Sequence, residues 1–395
     1  MDVLIVVLII SFLVIIHELG HYLAARKTKT NVQEFGLGYP PRLFKLFTFK
    51  GTQFTLNLIP FGGFVRLEGE MGPEDEIDEV TLEKLDQQSL QRMIDDKLSA
   101  IKKHELAPFY QKTALQRGFI ILSGVVVNTL FALLAFSIVF SFMGIPTPLF
   151  DQARIGVIAP DSPAAETGLS ENHNIVQINT PKQSFQIESF ADVQRIVGEN
   201  KGETIEVVTQ GPCEYLVCED STQTYQVYVR TEEETPDNQG AVGIGFIDVI
   251  FVFYPWYEMP FRGSWHGVRQ AVGLGWMILQ ALVEMFVGLF SRGELPQDVA
   301  GPVGIVHEAQ KGNVISSDFL SNLGFAGMLS LNLAIINLLP IPALDGGRAV
   351  FIFLEKLAGR KAIQKIERYA NYGGFILLII LVVAITIKDV GRIIG

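Results

Sequence analysis

Residues 3–25 read VLIVVLIISFLVIIHELGHYLAA, and this stretch decides how the rest of the chain is read. Residues 3–16 are apolar and uncharged. They reach the roughly 20 apolar residues that cross a bilayer core of about 30 Å only if their flanks are counted. Those flanks hold His17-Glu18-Leu19-Gly20-His21. Four residues of helix advance about 400°, so the two imidazoles share one face, one turn apart. That spacing suits two nitrogen ligands of one tetrahedral zinc ion. Glu18, next to the first ligand, is placed to act as general base on an attacking water. The plainer reading makes the three side chains interfacial polar residues that end a membrane helix. Polar groups at membrane depth cost several kcal/mol on insertion scales and are kept where they have a task, so the ligand reading is favoured.

Working outward, three further blocks are almost free of charge: 119–143, 323–339 and 373–387. Of the 395 residues 49% are hydrophobic and only 18% charged, and the mean hydropathy is +0.32. A soluble domain carries about 25% charged residues, so the pattern is that of a polytopic helical membrane protein. The start, Met1-Asp2, lacks the basic n-region and the cleavage site of a secretory signal, so 1–25 is read as a retained first span. A net charge of −11 and the lack of a basic, aromatic-laced patch argue against a nucleic-acid partner. The two cysteines, Cys213 and Cys218, cannot form a zinc ribbon; a disulfide and a free buried pair are both open.

Between the spans the chain changes character. Residues 26–118 form the next region, with a basic, Pro-containing stretch at 26–50 followed by TQFTLNLIPFGGFVRL at 52–67. Alternating Phe54, Leu56 and Leu58 followed by Pro60-Phe61-Gly62-Gly63 predict a β-hairpin there, with 70–106 an acidic, helix-prone stretch. After the second span at 119–143, residues 150–235 are polar with short β-like runs around one helical stretch, a soluble inserted domain. Residues 262–292 are helical and amphipathic, and the last spans fall at 323–357 and 369–390. The basic stretches next to the membrane, in 26–118 and 356–368, are expected on the cytoplasmic side, which leaves the N-terminus and the inserted domain outside.

A third zinc ligand comes from Asn337-Leu-Leu-Pro340-Ile-Pro342-Ala-Leu-Asp345-Gly346-Gly347, where two prolines break a membrane helix ahead of Asp345. Taken alone, Asp-Gly-Gly is an ordinary turn. Alongside the His-Glu-x-x-His motif it becomes a ligand. His104, His173, His266 and His307 have no partner at ligand spacing.

HELGH near the end of a first span, paired with NLLPIPALDGGR on a later one, resembles the site-2 protease family of intramembrane zinc metalloproteases. FGLGYPPRLF with LIPFGGFVRLEGE resembles that family's membrane-reentrant β-hairpin, and FYQKTALQRGFIILSGVVVN resembles the entry to its second span. GVIAPDSPAAETGL resembles the start of a bacterial PDZ domain, as in the RseP-like branch that cleaves anti-sigma factors. The chain departs from that branch in having room for one PDZ domain and in reading Gly124-Val-Val-Val-Asn128 where Gly-Pro-x-Ala-Asn is common.

The resemblance implies four transmembrane helices, a reentrant hairpin and one inserted PDZ-like α/β domain. It makes His17, His21 and Asp345 the Zn2+ ligands, Glu18 the general base and Asn337 a substrate-binding residue. The hairpin residues Phe54, Leu56, Leu58, Gly62 and Gly63 would hold an extended substrate by strand addition. It further implies single-span membrane protein substrates, a PDZ-like domain binding a peptide or a substrate's outer segment, and a multi-pass protein of a bacterial inner membrane. Its catalytic site would face the cytoplasm. The rivals are an inert membrane scaffold presenting a PDZ domain, which has no need of Glu18, and a metal transporter, which spreads ligands over several spans. Parity completes the expectations: one crossing from outside must end at Asp345, so 267–290 does not span and lies along the outer surface or on the inserted domain.

Overall fold

The computed structural model describes residues 2–70, 106–292, 301–311 and 318–394; the expected acidic helical stretch lies, between 71 and 105, outside the described residues. Two compact units form, one from 1–140 with 263–395 and one from 141–262.

Among the described residues, four helices are long and apolar enough to cross a membrane: α1 (Asp2–Lys27), α2 (Ala114–Met143), α7 (Phe319–Leu338) and α9 (Arg360–Ile394). Their number agrees with the four expected spans; the third, expected over 323–357, ends as a helix at Leu338. α1 and α2 run antiparallel, with Phe12 against Phe131 and Gly20 against Ser123 and Gly124. A Cβ on Gly20 would come within 2.6 Å of the Ser123 carbonyl oxygen, so the missing side chain sets how close these two helices lie. α7 packs on both: Phe325 and Leu329 join Val6 and Leu13 in one cluster, and the Ser330 hydroxyl donates to the Asn128 carbonyl at 2.9 Å.

The chain from 32 to 67 forms two long strands, β1 (Val32–Phe49) and β2 (Thr52–Leu67). Gly38 (φ +77°) and the cis Pro40–Pro41 bond interrupt β1, and Gly62 (φ +77°) turns β2. The register differs from a simple hairpin over 52–67. Residues 34–37 pair with 63–66 on one flank and with 53–56 on the other, and 42–49 pair with 52–57. The sequence-adjacent arms of β2 are therefore separated by a piece of β1, and 53–56 is an interior row. The buried Glu34 carboxylate accepts from Thr55 Oγ1 at 2.7 Å and meets Arg42 at 2.7 Å and Arg66 at 3.4 Å, tying its own row to the three others. Burial alone would raise this carboxyl, but those hydrogen bonds and charges hold it below the ordinary carboxylate value.

The second unit is β-rich. Its four-stranded sheet has the order β10 (Thr222–Tyr228), β7 (Thr204–Gln210), β5 (Asn174–Asn179), β6 (Ser184–Gln186). Inward positions of these strands (Ile175, Ile178, Ile205, Val207, Val227) meet Val193 and Ile196 of α4 (Phe190–Glu199) in a closed core. A capping box starts α4, with Ser189 and Asp192 exchanging hydrogen bonds. Flanking pairs, β4 (Ile155–Ile158) with β11 (Ile244–Phe246) and β3 (Ile145–Pro148) with β12 (Val249–Val252), carry the unit beyond the expected 150–235 on both sides. Cys213 and Cys218 are joined by a disulfide, which settles the alternative left open by their spacing.

The amphipathic region is the helix α5 (Met259–Arg292). Over 267–278 it packs on two of the membrane-length helices. Gly267 lies against the backbone of Phe136 and Ser137, and Ala271, Leu274 and Ile278 pack with Ala132, Phe136, Leu331 and Ile335. The absence of a side chain at Gly267 and the small one at Ala271 let the helix close onto α2 and α7.

Candidate metal centre

His17 and His21 stand one turn apart in the C-terminal half of α1, and Asp345 opens α8 (Asp345–Ala358). The expected helix break precedes it: α7 stops at Leu338, and the Pro340–Pro342 turn delivers Asp345 to the imidazoles. Asn371 holds that turn, its side-chain oxygen accepting the Ala343 N–H at 3.0 Å.

The Nε2 atoms of His17 and His21 are 3.2 Å apart, and Asp345 Oδ2 lies 3.0 Å from the first and 3.4 Å from the second. Ligands bound to tetrahedral zinc at about 2.0–2.1 Å stand about 3.3 Å from one another, so the three atoms have the spacing of one face of such a site. The far ring nitrogens agree. With Nε2 turned to a metal, Nδ1 of each histidine carries the proton and needs an acceptor. His21 Nδ1 donates to the Ile120 carbonyl at 2.9 Å. His17 Nδ1 faces the carboxamide of Asn128 at 3.3 Å; Asn128 is fully buried and its side-chain oxygen has no partner. Turned with that oxygen toward His17, the carboxamide satisfies both groups at once. Gly124 keeps the space open: a Cβ there would meet His21 Nε2 at 2.6 Å and the His17 ring at 2.7 Å. The donor set and its surroundings fit zinc.

The centre opens into a cavity of about 480 Å³ lined by Glu18, Tyr39, Asn337 and Leu333, with Phe375, Ile379, Val382 and Val383 of α9 forming the apolar wall. The expected substrate residue Asn337 therefore reaches the site. The hairpin residues divide. Gly63 lies beside the centre, since a Cβ on it would come 3.6 Å from Glu18 Cγ, and Gly62 abuts the Tyr39 ring. Phe54 does not reach the centre: it stacks between Phe35 and Phe47 and meets Tyr22 edge-on, a core position. Leu56 is paired to Leu37 on one side and Phe44 on the other, so its row offers no free backbone edge, and neither Leu56 nor Leu58 lines the cavity. Strand addition needs a free edge, which Phe54 and Leu56 lack in this interior row; Leu58 is expected to reach a substrate no more directly, since it lies off the cavity wall.

Two residues of the site were not singled out from the sequence. An asparagine within the apolar second span was a signal for Asn128, because such groups are kept only with a partner. Tyr39 had a weaker signal, an aromatic held between Gly38 and Pro40-Pro41. Of the other histidines, His173 lies in the second unit, His266 packs on the Phe140 ring, His307 is exposed on the short helix 302–311, and His104 lies outside the described residues.

Two histidines and a carboxylate converging among membrane-length helices, with a glutamate one residue from the first ligand, define a membrane-embedded metallopeptidase. The model of peptidase family M50 matches residues 5–381, and the chain belongs to this family. Among relatives, it is 29% identical to the zinc metalloprotease RasP of Oceanobacillus iheyensis over 98% of both chains. It is 26% identical to the regulator of sigma-W protease RasP of Bacillus subtilis, with 98% of this chain and 97% of that protein covered. The zinc metalloprotease RasP of Geobacillus kaustophilus is 25% identical at the same coverage.

Proposed function

We propose that this protein is an intramembrane zinc endopeptidase that hydrolyses peptide bonds in or near the transmembrane segment of single-span proteins. The observation that carries the reading is the convergence of His17, His21 and Asp345 at 3.0–3.4 Å with Glu18 facing the same cavity. Bound there, zinc supplies charge that polarises the scissile carbonyl and makes the attacking water more acidic. Glu18 takes the proton of that water and returns it to the leaving amide nitrogen. Asn337, on the cavity wall, donates to the substrate backbone or to the oxygen on which charge develops. A helical substrate must be unwound first. Residues 63–66 flank the sheet on the side of Glu18, and an extended substrate adds to this row at Gly63.

The second unit is PDZ-like and lies outside the cytoplasm, where its disulfide is stable; the catalytic centre faces the cytoplasmic side of a bacterial inner membrane. The unit binds a peptide or the outer segment of a substrate and gates access. Deleting it should leave cutting of substrates that have lost their outer domain; loss of that cutting in folded protein refutes the gate.

The substrate is an anti-sigma factor or a similar membrane regulator, a reading supported by the Bacillus subtilis relative's name. The scaffold alternative is disfavoured because such a protein has no need of Glu18.

That 267–290 does not cross the membrane is kept as a proposal, on the parity that sets Asp345 and the two histidines at one face. Gly267 packs near the C-terminal end of α2, while Ile305 packs with Val6 and Leu13 near the start of α1, and these ends of the antiparallel pair are on one side. A single-span reporter incubated with purified protein in detergent tests the whole reading. Cleavage should stop on chelation and return with zinc, and cleavage that survives full zinc removal would overturn it.

A further inference from the structure

Beside the metal cavity lies a second one of about 580 Å³, and Ala343 and Phe375 line both. Four arginines, Arg117, Arg348, Arg360 and Arg368, share its wall with Glu70, Glu355 and Glu367. The three glutamates are already engaged. Arg117 forks onto Glu355 through both terminal nitrogens, and Arg348 lies 2.7 Å from Glu70 and 3.9 Å from Glu367. What remains is an unmet demand for acceptors: Nε and Nη2 of Arg360 and Nε of Arg117 are buried with no hydrogen-bond partner. A guanidinium cannot shed its proton, so this demand is permanent.

We propose that this cavity binds the headgroup of an anionic phospholipid, with the phosphate oxygens on Arg360. The Arg fork matches phosphate geometry, and Arg360 offers two adjacent N–H groups. A free phosphate has the same oxygens, but other features favour a lipid. The cavity floor continues into apolar Ile121, Ile352 and Phe375, and Phe375 is 58% exposed on the membrane-length part of α9. Tyr369 and Tyr372, 68% and 71% exposed, stand at the start of that part, where tyrosines sit at headgroup level. Basic pockets between helices at a membrane face are a recurrent form of lipid headgroup site. Occupancy would brace the turn carrying Asp345, because Asn371, which holds the Ala343 N–H, lines the same cavity. This inference does not depend on the proposed proteolysis.

The test is native mass spectrometry of the full chain in detergent, titrated separately with phosphatidylglycerol, phosphatidylcholine and inorganic phosphate. Wild type should retain one phosphatidylglycerol and no phosphatidylcholine, and millimolar phosphate should not displace it. Arg360→Gln should weaken binding about tenfold, the size of one lost charge-assisted contact. Lys365→Gln, the same charge change at an exposed position off the cavity, should stay within twofold. Arg360→Lys keeps the charge and loses the fork, so an intermediate loss is expected even if the glutamine variant folds poorly. Equal losses in Arg360→Gln and Lys365→Gln, equal retention of the two lipids, or displacement by phosphate would each overturn the proposal.

Discussion

Replacing Asn128 by leucine removes one polar contact from the centre without touching a ligand. Asn128 is fully buried in α2, and leucine keeps the number and branching of its side-chain heavy atoms but is bulkier, so the metal-free melt is needed to separate repacking from the lost contact. What is lost is the acceptor for His17 Nδ1–H, 3.3 Å away. A buried donor left unsatisfied costs about 1–3 kcal/mol. That cost falls only on the protonation state that binds metal, so it appears as lost affinity. The expected result is a zinc dissociation constant raised about 10–100-fold, the range found when partners of metal-bound histidines are removed. Asn128→Asp should restore or exceed wild-type affinity, because a carboxylate is the stronger acceptor for an imidazole polarised by metal. Competition with a chromogenic chelator on detergent-purified protein reads the constant directly, and a thermal melt without metal controls for folding. Zinc affinity within twofold of wild type in a folded Asn128→Leu protein would refute the assigned role.

Gly124→Ala should abolish zinc binding and lower cleavage by at least about 100-fold, since its methyl displaces both imidazoles; Gly118→Ala, where a Cβ meets nothing within 4 Å, should be silent. Cysteines placed singly at 265 and 292 should both react with an impermeant thiol reagent added from outside; labelling of only one would show that α5 crosses the membrane. Reducing Cys213–Cys218 frees a short loop and should lower the stability of the second unit by about 2 kcal/mol on the chain-entropy account, read as a lower melting temperature of that unit.

The grouping of His17, His21 and Asp345 beside Glu18 was legible in the sequence because each part of its signal is local. His17, Glu18 and His21 lie within one helical turn, and Asp345 follows a proline break that a membrane tolerates only where the backbone is otherwise satisfied. The four spans were legible for the same reason, as runs of apolar residues. The sheet was not. Alternation at 54–58 identifies a strand, but it does not show that residues 34–37 insert between the two arms of β2, a choice made by long-range pairing. That insertion makes Phe54 a core residue and moves the free row to Gly63. The packing of α5 was hidden similarly, because amphipathicity shows that one face is apolar without saying whether lipid or helix covers it.

Glu18 is assigned as a base and not a ligand, in a centre where His17, His21 and Asp345 would hold the metal. The direct measurement is made on purified Glu18→Gln: its zinc-to-protein ratio together with its rate of cleaving a single-span substrate. Glu18→Gln is expected to keep close to one zinc per chain, as in wild type, with cleavage abolished, whereas Asp345→Ala loses both. Wild-type cleavage by Glu18→Gln, or loss of its zinc in folded protein, would contradict this assignment.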